Sequence, residues 1–386
     1  VLLPFYAIFR HPLFLMIVQV IAVGGSAYFL YRIVSGFLSE FQAFLVISAY
    51  LLFRPLISGV MYDFHPIAFF PLLLFCLIHQ FITKGRIWLR VLLWVLILGL
   101  KEDLSLYLTL FAVVVFFKFS KKGGIAFFIS SLVYFLLTYI FIQPSFYHGE
   151  GFYLFSHWSH LGGSLGEVAF NLIRNPFRIF AFDWSGMSFL KTLNYLAPLL
   201  FIPLLSPLSL SAIAIAYIVL ITSSETQMHS LALHFSFYLL PFLFYSFSGG
   251  LKVLKKRFGG RALTYILLAI LLINIANSSL WEHLSHGKYS GLHQYKYLKA
   301  IETELLKRKD ETIFIQSSII PTLKKDNRYR MLGKSLPEGI ILINPELNTW
   351  PLNKEGSYRI IKENTVIAKE GDFYIISNSP DIDAAL

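Results

Sequence analysis

Apolar residues run through this chain in long tracts, and short polar interruptions separate them. Tracts near or above the ~18 residues that suggest a bilayer span predict about ten transmembrane helices, at roughly 13–33, 41–61, 66–83, 87–100, 104–117, 125–143, 190–205, 208–222, 234–250 and 262–278. From residue 279 the pattern changes. "LHQYKYLKAIETELLKRKDE" reads as an amphipathic soluble helix with Tyr297, Ile301 and Leu305 on one face. "TIFIQSS", "GIILINPE", "SYRIIKEN" and "DFYIISN" read as short strands. The pattern therefore predicts an all-α polytopic membrane domain over 1–278 and a small α/β domain over 279–386.

One tract needs a second reading. From Trp88 to Phe117 the only charges are Arg90 and the adjacent triplet Lys101, Glu102 and Asp103. A single helix over 87–117 would put the basic clusters "KGRIWLR" (84–90) and "KFSKKGG" (118–124) on opposite sides of the membrane. Two spans with the triplet at their corner put both clusters on one side, together with "KVLKKRFGGR" (252–261), as the positive-inside rule asks. Each half is then about 14 residues, or ~21 Å against ~30 Å of hydrocarbon. The triplet is expected below the outer surface, where a turn is tolerated only inside protein or beside water. The outer face receives "FRHP" (9–12), "YDFHP" (62–66), the triplet, loop 144–188, "SSETQMHSLALHF" (223–235) and the C-terminal domain. Inside loop 144–188, Leu165, Val168, Ala169 and Leu172 fall at helical spacing away from Glu167, Asn171 and Arg174, and Pro176 stops the run. That pattern predicts a short amphipathic helix lying on the membrane surface.

Composition agrees with a membrane solvent. The 386 residues are 56% hydrophobic and 14% charged, whereas soluble domains carry about 25% charged residues. The net charge of +11 would suit a nucleic-acid partner, but its Lys and Arg sit in short loops between apolar tracts, so membrane lipids and no nucleic acid are expected. The single cysteine, Cys76, lies in an apolar tract and offers neither a disulfide framework nor a cysteine metal site. No cleavable signal peptide is visible, and the chain begins with Val and enters a span almost at once. The expected location is the plasma (inner) membrane, with the C-terminal domain extracytoplasmic.

The outer face collects the candidate chemistry. Asp63 and His65 occupy a span-to-span corner, with Pro66 starting the next helix. Asp63 either caps that helix or works with His65 as an acid/base or substrate-holding pair. The triplet either neutralises itself at headgroup level or supplies Lys101 as a point charge for phosphate, with Glu102 or Asp103 as base. His234 begins a span in "LHFSFYLLP", and Arg54 lies before Pro55, too deep to snorkel easily; both are expected to face the same cavity. Arg10 and His11 are either headgroup anchors or further cations of that cavity. His148, Glu150, His157, His160, Glu225 and His229 also fall on this side. The spacing "HWSH" (157–160) would suit a metal, and interfacial histidines beside Trp158 are the plainer reading. A divalent metal is the one cofactor this pattern admits.

"YDFHPIAFFPLLLF" (62–75) followed by "LGLKEDLSLYL" (98–108) resembles the bacterial and archaeal membrane proteins grouped as domain-of-unknown-function family 2079 (DUF2079). "HWSHLGGSLGEVAFNLIRNPF" (157–177) is similar to that family's outer-loop segment, and "ALHFSFYLLPFLF" (232–244) to its His-aromatic span start. "SSIIPTLKKDNRYRMLG" (317–333) and "GIILINPE" (339–346) resemble its terminal α/β part. By fold such proteins look like GT-C glycosyltransferases, which move a sugar from a polyprenyl-phosphate carrier on the outer face of the membrane. In that superfamily an acidic residue in the first outer loop commonly acts as base or metal ligand. The opening "VLLPFYAIFRHP" looks like the stretch just after that loop, so a first span and its acidic residue are expected to precede this sequence. The resemblance implies a GT-C-like glycosyltransferase with a lipid-linked sugar donor. Asp63, His65, Glu102 and Asp103 are then the candidate catalytic groups, and Lys101, Arg54, His234 and His11 the candidate substrate-binding groups. A transporter or lipid-handling protein would use the same carboxylates, imidazoles and arginine for proton coupling; the absence of an internal repeat counts mildly against it. An accessory membrane protein is the third reading.

Overall fold

The computed structural model describes residues 12–61, 64–146, 157–175, 195–206, 222–223, 228, 233–281, 291–308, 311–320, 323, 326–333, 336–347 and 352–378. The chain divides into two compact units, 1–281 and 282–386.

The first unit is helical. Its principal described helices are α1 (Pro12–Val34), α2 (Glu40–Leu51), α3 (Arg54–Val60), α4 (Phe69–Ile82), α5 (Ile87–Leu98), α6 (Leu104–Lys118), α7 (Lys121–Leu137), α8 (Leu165–Arg174) and α9 (Ser236–Asn277). Polar caps start several of them. Ser39 and Gln42 form a reciprocal capping box on α2, and the Ser120 and Ser164 hydroxyls accept the third backbone N–H of α7 and α8. The core gathers around the first arm of α9, which is buried nearly all round from Ser236 to Leu251, as an apolar helix enclosed by others must be. Tyr50, Phe53 and Phe244 meet edge to face there, with ring centroids 4.8 and 5.3 Å apart. The outer sides of α1 and α7 leave Leu13, Ile17, Ile21, Ile125, Ile129 and Val133 exposed, a surface suited to hydrocarbon.

The expectation of ten spans does not hold. Among the described residues three helical stretches are long and apolar enough to cross a membrane: Leu13–Val34, Lys121–Phe146 and Leu233–Trp281, the last of which reverses at Gly259 so that the tracts read at 234–250 and 262–278 lie on its two arms. A fourth is obtained if α2 and α3, bent by 52° at Leu52–Phe53, count as one broken span. The tracts read at 66–83, 87–100 and 104–117 give apolar helices of 10–17 residues, because turns cut them before they reach bilayer length. At 190–205 the described residues form two 3-10 turns, Ala197–Leu199 and Ile202–Leu205, around left-handed Leu200 and Phe201. The tract at 208–222 lies almost wholly outside the described residues.

Two reversals follow from side-chain contacts. Trp94 of α5 stacks on Phe127 of α7 at 4.1 Å, and Gly124, three residues earlier on α7, has room only for hydrogen against the Phe116 backbone of α6. A straight helix would separate residues 94 and 116 by ~33 Å, so the chain folds back between them, at the turn 99–103. The basic ends of α5 and α6 consequently lie together, where Phe81 meets Arg90, Phe119 and Phe127. The second reversal divides α9. Gly259 has φ 78 and ψ 176. The Ser246 hydroxyl donates to the Pro203 carbonyl and the Asn274 amide to the Pro198 carbonyl. A straight α9 would set residues 246 and 274 ~42 Å apart, whereas five residues of chain span at most ~18 Å. α9 is therefore a hairpin of two arms with Gly259 at its tip.

The second unit is a five-stranded sheet with two helices. β1 (Ile313–Ile315), β2 (Tyr329–Met331), β3 (Gly339–Ile343), β4 (Thr365–Glu370) and β5 (Phe373–Asn378) lie in the order β2-β1-β3-β5-β4. β1 is parallel to β2 and β3, and β5 is antiparallel to β3 and β4. α10 (Gly291–Leu306) lays Leu298, Ile301 and Leu305 on Ile313, Ile315, Leu342 and Ile375, with Tyr297 at the edge. The stretch "SYRIIKEN", read as a strand, belongs to helix α11 (Lys354–Glu363). The Asn353 side chain caps its first turn, and Ser357 and Ile360 are buried at helical spacing; these signals override the β-branched pair Ile360–Ile361. The missing strand is "TVIAKE", which turns through left-handed Gly371 into β5.

Candidate functional site

The turn 99–103 positions the charged triplet. α5 ends at Leu98, the Leu104 N–H bonds back to the Lys101 carbonyl, and the Ser105 hydroxyl bonds to the Glu102 carbonyl at 2.6 Å. Asp103 stands at the N-cap of α6, yet its side chain makes no capping bond. It points instead to Tyr238 of α9, whose buried hydroxyl donates to Asp103 Oδ2 at 2.7 Å. Lys101 Nζ lies 3.5 Å from the same oxygen and 5.3 Å from the centre of the Tyr238 ring. The Tyr107 ring packs 5.1 Å from Tyr238. The two charged side chains of the pair keep 29% (Lys101) and 24% (Asp103) exposure, so the site opens to one side.

This carboxylate is ligated unevenly. Oδ2 takes both the phenol and the ammonium, while Oδ1 is shielded from solvent and, among the described residues, accepts no hydrogen bond. A shielded carboxylate oxygen without a donor costs about 1–3 kcal/mol or more, so a group that brings an O–H or N–H to Oδ1 is favoured there. Glu102 is half-buried beside it.

The second corner lies at the same end of α9. His65 precedes the 3-10 turn Pro66–Ala68, and His234 lies in the 3-10 turn Leu233–Phe235 that opens α9. Their imidazoles stack with centroids 3.6 Å apart and planes 9° from parallel. Gln19, wholly buried in α1, fixes the corner from behind: its amide nitrogen donates to the Val60 carbonyl at 3.2 Å, and its oxygen accepts the His65 N–H at 2.9 Å. The Ser236 hydroxyl donates to the Pro55 carbonyl at 2.9 Å, and Gly59 allows α3 to lean on Phe237. The segment 233–238 therefore touches both corners, His65 through His234 and Asp103 through Tyr238, about one helical turn apart. Pro241 follows inside α9 and leaves the Phe237 carbonyl without its ladder donor.

Of the residues singled out in the sequence, Lys101, Glu102 and Asp103 share one turn, and His65 and His234 are in contact. Arg54 starts α3 just past the break in the helix and is exposed. Asp63, His11, Arg10, His148, Glu150, Glu225 and His229 lie outside the described residues. His157 and His160 stand at the start of the α8 segment. Burial holds the His160 imidazole below the usual histidine range, against a hydrogen bond with the Thr222 backbone. In α8 itself Val168 is half-buried, Phe170 and Ile173 are exposed, and the side chains of Leu165, Ala169 and Leu172 lie outside the described residues. Among the described residues no three His, Cys, Asp or Glu side chains converge as a metal ion would need, so no step is assigned to a metal. Sequence reasoning missed Tyr238, Tyr107 and Gln19. A signal was available for two of them: Tyr238 follows His234 at i+4, and Gln19 is a lone amide in an apolar span.

A family model described as "Predicted membrane protein (DUF2079)" matches residues 1–293. No curated protein and no solved structure matches the chain.

Proposed function

The chain belongs to the DUF2079 family of predicted membrane proteins, and on that premise we propose that it is a GT-C-like membrane glycosyltransferase using a polyprenyl-phosphate-linked sugar. The observation that carries this reading is the uneven ligation of Asp103: one oxygen held by Tyr238 and Lys101, the other shielded and undonated. An acceptor hydroxyl that donates to Oδ1 stands ready to lose its proton. As its oxygen bonds to the anomeric carbon, the bond from that carbon to the carrier phosphate breaks, the proton passes to Asp103, and polyprenyl phosphate departs. Lys101 supplies the cation that the leaving phosphate needs. Tyr107 and Tyr238 give the sugar an apolar face to stack on, and Glu102 orients the acceptor. The stacked His65–His234 pair is assigned to holding the donor phosphate and its sugar, and Asp63, two residues before His65 in the sequence, is assigned to the sugar; Arg54 and His11 are proposed as further cations for that phosphate. The site faces the outer side of a plasma membrane, and the lipid tail lies among the aromatic helices.

The test is transfer of labelled sugar from polyprenyl-phosphate donors by the full chain in proteoliposomes. Asp103→Asn should lower transfer by about 10²–10⁴-fold, the usual worth of a general base, and Glu102→Gln should lower it less. Wild-type transfer in Asp103→Asn refutes the assignment. The break between α2 and α3, with Arg54 just beyond it, supports transport as the second reading, because discontinuous helices line substrate paths in transporters. Asp103-dependent solute uptake with no sugar transfer would decide for it.

A further inference from the structure

The tip of the α9 hairpin carries a charge that no carboxylate among the described residues balances. Lys252, Lys255, Lys256, Arg257 and Arg261 fall within ten residues and are all exposed. No Asp or Glu occurs from Thr226 to Trp281, and no carboxylate among the described residues lies within ion-pair distance of any of the five. Three of the cations at this end are fixed in place. Lys255 Nζ donates to the Phe37 carbonyl at 2.6 Å, Lys252 Nζ lies 4.7 Å above the Phe37 ring, and Lys118 Nζ, from the end of α6, lies 4.9 Å above the Tyr245 ring. Tyr245, which seats Lys118, and Lys252 lie seven residues apart on one face of the arm, ~10 Å along it, so the two ammoniums stand at the same end of the bundle. Val253 and Phe258 stand exposed among the cations. Ammoniums from different helices seated on aromatic rings at one end of the bundle, with apolar side chains beside them, match a phosphate carried on an acyl chain better than a dissolved polyanion.

We propose that Lys118, Lys252 and Lys255 form a binding site for the headgroup phosphate of an anionic phospholipid in the adjoining leaflet, with Lys256, Arg257 and Arg261 adding attraction at longer range. The site is separate from the carboxylate site: Tyr238 and Lys252 lie fourteen residues apart on the same arm, ~21 Å along its axis.

The full chain in neutral detergent is offered phosphatidylglycerol or phosphatidylcholine, and the lipid retained is counted by native mass spectrometry. Phosphatidylglycerol should be retained many-fold better. The variant Lys118→Gln/Lys252→Gln/Lys255→Gln should lose about 100-fold in that preference, at roughly 5-fold per charge. The corresponding triple Lys→Arg variant should keep it and controls for folding, as does an unchanged elution volume of the Gln variant. Equal retention of the two lipids by the wild type overturns the proposal, and so does a Gln variant that folds and keeps the preference. Displacement of phosphatidylglycerol by millimolar inorganic phosphate or by RNA overturns the choice of a lipid as the ligand.

Discussion

Gly259→Ala tests the hairpin on which the placement of both ends of α9 depends. At φ 78 and ψ 176 the residue sits in a region that only glycine occupies freely, and a Cβ built there meets nothing within 4 Å. The whole penalty is therefore torsional, about 1–3 kcal/mol. Gly260→Ala is the matched control. Its Cβ would meet only Gln42 Nε2, at 3.8 Å, and its backbone is helical, so alanine there should gain about 0.5–1 kcal/mol. Thermal unfolding of the two variants in one detergent should move the midpoint in opposite directions. A direct measure is available from spin labels at the exposed positions Val253 and Leu272 in a Cys76→Ser background. A straight helix puts those backbones ~28 Å apart, whereas two arms packed 8–10 Å from each other put them ~15 Å apart. Parallel shifts in the two alanine variants, or a distance near the longer value, would refute the reversal.

Gln19→Leu should destabilise the first unit by about 1–3 kcal/mol, because the Val60 carbonyl and the His65 N–H lose their partner in a buried place; chemical denaturation of the full chain reads this, and a midpoint equal to wild type would refute it. Gly124→Ala should be among the most damaging single changes, since its Cβ would lie 2.5 Å from the Phe116 backbone; a midpoint within a degree of wild type would mean that α6 and α7 do not pack this closely. In the second unit, the hydrogen bonds from Arg328 push the Asp326 carboxyl down to about 2. A depressed carboxylate contributes stability above its unfolded value of about 3.9 and loses it as the pH falls through the folded value. Asp326→Asn should therefore flatten the acid limb between about pH 4 and pH 2, read by tryptophan-independent circular dichroism of the full chain. Glu346 accepts the Tyr358 hydroxyl and lifts that phenol to about 12, so the stabilisation this bond gives is present below about pH 10 and fades as the pH rises through 12; Glu346→Gln should bring the phenol titration back toward 10.

The sequence made some of this legible and concealed the rest for physical reasons. Charge placement alone required a reversal at Lys101–Asp103, and the contacts of Trp94 and Phe116 show one there. Hydropathy overcounted the spans because it registers apolar composition and is blind to turns. Ile87–Leu98 and Leu104–Lys118 are as apolar as any span, yet each is too short to cross. The composition change near residue 279 lies beside the division between Trp281 and Glu282. The helix at Lys354–Glu363 was misread because Tyr358, Ile360 and Ile361 favour strands, and the Asn353 cap that decides the matter weighs little in a local pattern. At the site, ionisable groups in apolar tracts pointed to the triplet and the histidines. Tyr238 could not be separated from its aromatic neighbours, since its role depends on a partner 135 residues away.

Pro241 gives the start of α9 a mechanical character of its own. The five residues before it, Ser236 to Leu240, follow the turn that carries His234 and include Tyr238, and they are joined to the rest of the arm by a ladder lacking one rung. This short piece is pinned at two points, by an imidazole stack at its entrance and by a carboxylate one turn on. With the Phe237 carbonyl lacking its helical donor, those two side-chain contacts help to fix the direction in which the first turns leave the arm.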